Sequence, residues 1–483
     1  MQYKNIIRIL GLLVAVLSVT MLPPALVSLI YRDGAGVAFL LAFLWCLFTG
    51  LLFWYPNRYE KSELRAREGF LIVVLFWLVL AAFSAIPFTL LDHPDISFTD
   101  AFFESISGLT TTGATILSGI DDLPHALLYY RQQLQWIGGM GIIVLAVAVL
   151  PMLGIGGMQL YRAETPGPVK DSKMTPRIAD TAKHLWFIYL GLTIACALAY
   201  WLAGMSVFDA ISHSFSSISN GGFSTHDASI GYFDSQLINY ICAFFCLMGA
   251  MNFSLHYTAV HHKTLKNYFA DAEFRGFIFI QLFLALSCFI VLWLFNVYDS
   301  VDVSLNQAVL QTVSFSTSAG FASADFSHWP LFLPIFLIFS SFIGSCAGST
   351  GGGLKVVRAM LLYIQGMREL ERLVHPKAVL VVKLGNKAVP DRVVQAVWGF
   401  FAAYTMVFLV CMLLILASGV DNITAFTAVA ACINNLGPGL GEVSASFASI
   451  NSFSKWVLSI AMLFGRLEIF TLLVLFTPAF WRA

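Results

Sequence analysis

Four stretches of this chain set a glycine among hydroxyl and amide side chains inside otherwise apolar sequence. They are TTTGAT around Gly113, SNGGFST around Gly222, TSAGFAS around Gly320 and NNLGPGLG around Gly437. Glycine adopts positive φ without steric cost. That freedom lets successive carbonyls turn toward one axis, where they can replace the hydration shell of a cation. Each stretch follows an apolar run of about a dozen residues, too short to cross a bilayer. The runs open on Asp100-Ala101, Asp209-Ala210, Gln307-Ala308 and Thr424-Ala425, and the alanine-to-glycine spacing is twelve in all four. The glycines themselves are 109, 98 and 117 residues apart. One copy of such a stretch would be an ordinary helix ending at a glycine cap. Four copies in register, each between two membrane spans, define a repeated unit. Short helices aiming their C-terminal ends at a common axis add partial negative charge there, which also favours cations. Asp100 and Asp209 stand at the other ends of the short helices, where a carboxylate caps free N–H groups.

Two further features carry charge or flexibility at membrane depth. Residues 344–353 place five glycines inside an expected crossing, which reads as a bend allowing close helix packing or as a helix broken into a movable loop. Arg466 lies near the middle of the last crossing, where a charge costs about 2.5–3.5 kcal/mol on insertion scales and marks function. Glu468, the single deep acid in this reading, is two residues away and so on a different helix face, a poor partner for Arg466.

The elements that position these residues are membrane spans. Hydrophobic residues make up 58% of the 483 and charged ones 11%, with a mean hydropathy of +0.80, against about 25% charged in a soluble domain. Crossings are expected near Ile6–Ile30, Val37–Tyr55, Gly69–Leu91, Gln135–Leu153, His184–Met205, Leu237–Tyr257, Phe274–Tyr298, Leu331–Leu362, Val394–Ser418 and Lys455–Trp481. Ten crossings put both termini on one side. Lys and Arg concentrate in the loops facing that side, with Arg32, Arg131 and Lys455 on the opposite face, so both termini are expected in the cytoplasm. The inner loop 355–392 includes Arg368-Glu369-Leu370-Glu371-Arg372, a solvated helix suited to a cytoplasmic partner. Aspartates crowd the outer segments, which reads equally as loop solvation or as an acidic vestibule. The eight cysteines form no CxxC, and the 27 basic and 27 acidic side chains leave no basic face for nucleic acid. His261-His262 is given no function. The expected architecture is an all-α polytopic membrane protein. Two N-terminal helices (1–68) precede four helix–pore helix–helix repeats, 69–157, 158–262, 263–365 and 366–483, around a central pseudo-fourfold ion pore.

These motifs, with GSCAGSTGGGLK at 344–355, resemble the Trk/Ktr/HKT superfamily of potassium transporters over nearly the whole chain. The resemblance implies a potassium pathway whose filter takes one glycine from each unit, matched here by Gly113, Gly222, Gly320 and Gly437. By residue matching, backbone from Thr111, Thr112, Asn220, Gly221, Ser318, Ala319, Asn435 and Leu436 joins them. Plant relatives selective for sodium carry serine at the first glycine, so Gly113 implies potassium selectivity. The resemblance further implies an intramembrane gate formed by Gly344, Ser345, Cys346, Ala347, Gly348, Ser349, Thr350, Gly351, Gly352 and Gly353. It implies that Arg466 faces the pathway and hinders cations there. It also implies a homodimer in the bacterial inner membrane that binds a cytoplasmic ring of nucleotide-binding, TrkA-like subunits. No resident cofactor is implied, potassium being the substrate.

Two other functions fit the residues less well. A proton- or sodium-coupled symporter calls for intramembrane acids or inverted repeats, whereas these repeats all run in the same direction. Gly344-Ser345-Cys346-Ala347-Gly348 imitates a nucleophile elbow, but that turn needs a strand before it and a base nearby. Catalysis is not expected.

Overall fold

The computed structural model describes residues 3–60, 66–152 and 178–482. The expected boundary at 157/158 and most of the inner loop 158–183 lie outside the described residues. At the N-terminus, Tyr3–Val19 runs on through Leu22–Tyr31, and Gly36–Trp54 returns beside it. The pair cross where Gly11 and Gly50 meet, and a Cβ on Gly11 would come within 2.7 Å of the Gly50 carbonyl oxygen. Small residues allow such backbone approach between membrane helices.

Four units follow. Each has a long first helix: Ala66–Ser84, Ile178–Leu202, Ala272–Leu294 and Asp391–Ala417. Each then has a short helix: Phe98–Leu109, Val207–Ser219, Val301–Ser316 and Asn422–Ile433. The polar residues Ser97, Ser206, Ser300 and Asp421 cap these short helices, accepting from backbone N–H groups two or three residues on. This corrects the expected role of Asp100 and Asp209. Their carboxylates instead accept from the hydroxyls of the capping Ser97 and Ser206, at 2.8 and 2.7 Å. The signal was legible as a capping box, SFTD and SVFD.

On the short helices and on the outer sides of the long ones, burial runs opposite to that of a soluble protein. Ser105, Ser107, Ser212, Ser214, Ser216, Thr312, Ser314, Thr424 and Thr427 are buried on the short helices, while Phe279, Leu282, Phe283 and Leu286 on a long helix are exposed. Apolar side chains face lipid, and inside the protein Ser105, Ser214, Thr312, Ser314 and Thr427 donate to backbone carbonyls.

Among the described residues, six helices are long and apolar enough to cross a membrane, and two bent pairs would each make one more. The other two expected crossings are irregular. Every unit's second helix is in fact interrupted, where only the third was expected to be. His125–Met152 kinks at Gly141 (φ 54°, ψ −177°). Gln236–Ala250 meets Phe253–His262 at 94°, and Ser452–Arg466 meets Phe470–Phe476 at 111°. Leu333–Ile343 and Val356–Val374 are separated by the glycine loop. Local chemistry explains one of the breaks, where Asn252 caps a new helix start; at the break in unit four, Glu468 and Ile469 both take φ of 55°. A left-handed Ile is costly, so surrounding packing imposes that bend. Val356–Val374 carries Arg368–Arg372 on its last turns, as the inner-loop reading expected.

Candidate functional site

The ends of the four short helices converge, and the residues after them adopt one backbone pattern four times. Two residues before each glycine, Thr111, Asn220, Ser318 and Asn435 have φ of 56°, 53°, 59° and 52°. Gly113, Gly222, Gly320 and Gly437 have φ of 80°, 79°, 78° and 97°. A left-handed residue at every second position rotates alternate peptide planes, so successive carbonyls face one way instead of alternating as in a strand. Such conformations cost about 1–3 kcal/mol for each non-glycine residue, and they concentrate at functional sites.

The four turns close on one another. A Cβ placed on Gly113 would collide with the carbonyl oxygen of Gly221; on Gly222, with that of Ala319; on Gly320, with that of Leu436; and on Gly437, with that of Thr112. Each glycine is thus pressed against the residue preceding the glycine of the next unit, in the order one, two, three, four, one. Side chains lock two of the seams. Gln135 Nε2 donates to Gly221 O at 2.5 Å and its Oε1 accepts from Phe223 N at 3.1 Å, while Asn435 Nδ2 donates to Thr112 Oγ1 at 2.9 Å. All twelve expected ring residues therefore meet at one place.

The loop 344–353 docks under this ring. Ser345 Oγ donates to Thr317 O at 3.0 Å, Gly352 N donates to Ser318 Oγ at 2.5 Å, and Thr350 Oγ1 donates to Ile218 O and Gly249 O, both at 3.0 Å. Gly352 also lies against Asn434 O, where a Cβ would not fit. The loop is tethered on its far side. Cys346 N donates to Ala250 O at 2.9 Å, Gly348 O accepts from Phe253 N at 3.1 Å, and Ser349 Oγ donates to Cys346 O at 2.5 Å. Lys355 Nζ donates to Gly351 O. Glu273 Oε1 accepts from both Ala347 N (2.7 Å) and Val357 N (3.2 Å), clasping the two limbs of the break. Gly344, Gly348 and Gly353 have φ of 73–75°. Buried Cys346 follows a helix rather than a strand.

Arg466 ends the second helix of unit four in the layer below the ring. It donates to Thr350 O at 3.2 Å, to Gly139 O at 3.1 Å and to Gly138 O. It thereby joins unit four to unit one and to the loop, and the bonds offset part of the cost of a charge at this depth. Glu468 pairs with Arg358 at 2.5 Å.

One charged element is not apparent from the sequence. Glu104, in the middle of the first short helix, is a second deep acid. It pairs at 2.8 Å with Arg131, a residue that the span pattern assigns to the outer face, and the two side chains are 0% and 1% exposed. The available signal was a carboxylate inside a twelve-residue helix with no solvent-facing side.

On the side where the short helices begin, several aspartates are committed to contacts. Lys455 reaches Asp100 at 2.6 Å. His226 lies 2.5 Å from Asp121 and 3.5 Å from Asp209, its ring stacked on Tyr232. Burial works against a charge on His226, but Asp209 and Asp121 outweigh it and raise its pKa. Asp121 is shifted down: burial opposes this, and hydrogen bonds from His226 and the Asp227 N–H overcome it.

Four helical units closing a ring of backbone turns inside an apolar shell define a polytopic membrane transport protein. A family model described as TrkH, cation transport protein, matches residues 35–483. The chain belongs to this TrkH family. It is 64% identical to the Trk system potassium uptake protein TrkH of Vibrio parahaemolyticus and 61% identical to that of Escherichia coli, each match covering both chains completely. The crystal structure of the potassium transporter TrkH from Vibrio parahaemolyticus superposes with a TM-score of 0.91 over the full length of both chains, at 61% identity.

Proposed function

We propose that this chain carries potassium into the cell through the four-glycine ring, which acts as a backbone-carbonyl selectivity filter. The observation that carries the reading is the closed cycle of glycine–carbonyl contacts, with φ repeated unit by unit. Sites of this kind bind a cation by replacing its water, and no side chain needs to be shared among the four units. The names of the full-length relatives, potassium uptake proteins, support potassium as the ion. Flux is channel-like. Residues 344–353 form the gate, and Arg466 is an electrostatic barrier beneath the filter. The pairing of Glu468 with Arg358 favours this over a proton- or sodium-coupled symporter, since that acid is already engaged. A reversal potential that shifts with a pH gradient would favour coupling instead.

The same reading places the protein in the bacterial inner membrane with both termini cytoplasmic, as its basic inner loops suggest. The unit boundaries of this reading are 68/69, 157/158, 262/263 and 365/366, the first and last falling within the helices Ala66–Ser84 and Val356–Val374. The protein works as a homodimer with a cytoplasmic ring of nucleotide-binding subunits acting on the loop through the inner surface. Potassium against sodium flux in liposomes tests the filter: Gly113→Ser should lose discrimination, and unchanged discrimination would remove the assignment.

A further inference from the structure

The scaffold behind the ring is not fourfold. Nine residues before each ring glycine stand Glu104, His213, Gln311 and Ala428, and eighteen residues after it stand Arg131, Tyr240, Ile338 and Lys455. Only the first unit sets a carboxylate and a guanidinium against each other at these two places. Arg131 Nε donates to Glu104 Oε1 at 2.8 Å, Nη2 to Thr115 Oγ1 at 3.0 Å and Nη1 to Ser224 O at 3.2 Å, and its guanidinium lies 4.3 Å from the centre of the Phe223 ring. Glu104 Oε2 accepts from Ile116 N at 2.9 Å, and the Thr115 hydroxyl reaches both carboxylate oxygens at 3.0 Å. The Thr115 carbonyl accepts from Phe447 N at 2.7 Å. One ion pair thus holds the strands leaving the ring in units one and two, and through Thr115 that of unit four. The neighbouring Gln132 Nε2 adds a bond to Phe223 O at 3.1 Å.

Two fully buried charges are an inefficient way to gain stability, because well-packed apolar side chains of similar volume often do as well or better. What the pair supplies that an apolar pair cannot is a fork of directed hydrogen bonds fixing three strands relative to one another. We propose that Glu104 and Arg131 are positioning residues that set the width of the ring across units four, one and two, and with it the discrimination between potassium and the smaller sodium ion. This inference rests on the ring being the filter.

The test separates positioning from folding. Glu104→Gln and Arg131→Met each leave a buried partner uncompensated and should lower both thermal stability and the potassium-to-sodium permeability ratio. The double variant removes both charges and should regain much of the stability. Its permeability ratio, read from bi-ionic reversal potentials in liposome patches, should stay about tenfold below that of the unmodified protein, the scale of losing one charge-assisted hydrogen bond. A double variant with the original ratio overturns the proposal. If the charge variants do not fold, Thr115→Val removes the shared joint while keeping both charges. It should still lower the ratio, and an unaltered ratio overturns the proposal equally. Gly113→Ser is measured alongside. If it loses selectivity while the clamp variants keep theirs, the clamp fails and the filter stands. If it too is unaltered, the filter reading itself fails.

Discussion

Units one and three build the same turn on opposite supports. Gly113 and Gly320 have φ of 80° and 78°, and Thr111 and Ser318 have 56° and 59°. Behind Gly113 stands a buried ion pair with strands hung on it from three units. The second helix of unit three offers Ile338 and Phe342 instead, and it stops at Ile343 to release the loop beneath the ring. The difference separates two demands on one architecture. Ion selection, in the proposed function, calls for a fixed backbone, and the ring glycines repeat one turn with φ of 78–97°. Gating, in the proposed function, calls for an irregular helix, and the third unit supplies the longest break, held by hydrogen bonds and by Cys346 packed among Ala250, Met251 and Phe274.

The largest effect should come from breaking what the two units share. Gly320→Ala would put a methyl group on Leu436 O at a left-handed position. Strain of about 1–3 kcal/mol, plus the cost of overpacking, should abolish selective potassium uptake in a flux assay. Gly191→Ala, with open space around its Cβ in a helix, should leave uptake intact and stabilise by about 0.5–1 kcal/mol. Next comes what distinguishes unit three. Glu273→Ala removes the acceptor of the Ala347 and Val357 N–H groups on the two limbs of the break, each bond being worth about 0.5–1.5 kcal/mol. The loop should loosen, raising basal flux in liposomes lacking any cytoplasmic partner, and unchanged flux would detach Glu273 from gating. Arg466→Ala, which lies between the two supports, should raise single-channel current, and an unaltered current rules out the barrier role.

The smallest effect is at the His226–Asp121 seam between units one and two. The raised pKa of His226 means its ion pair with Asp121 stabilises fully below the ordinary histidine value of 6.5 and fades as pH rises through the raised value. The lowered pKa of Asp121 removes the pair only when pH falls through that depressed value. The stability difference between the unmodified protein and His226→Gln should therefore be larger at pH 6 than at pH 8.5 in thermal unfolding, by the linkage of about 1.4 kcal/mol to each unit of pKa shift. A difference independent of pH would mean the contact does not depend on charge.

Much of this was legible in the sequence because the repeat is. Four glycines at a constant distance from an alanine located the ring, and the glycine cluster at 344–353 located the third break. Contacts between units were not legible. No pattern within one unit says that Gly437 packs on Thr112, or that Arg131 turns inward to Glu104, because both depend on how the chain closes into a circle. Thr111 in a left-handed turn runs against its own preference, and only its neighbours impose it. The bend at Glu468-Ile469 has no glycine or proline to announce it.

The central claim, that the ring of glycine turns is where the ion is held, is tested most directly by anomalous diffraction from crystals of the protein grown with rubidium. An anomalous peak is expected on the axis enclosed by Gly113, Gly222, Gly320 and Gly437, with its loss in Gly113→Ser. A peak elsewhere in the membrane region with none inside the ring would contradict it.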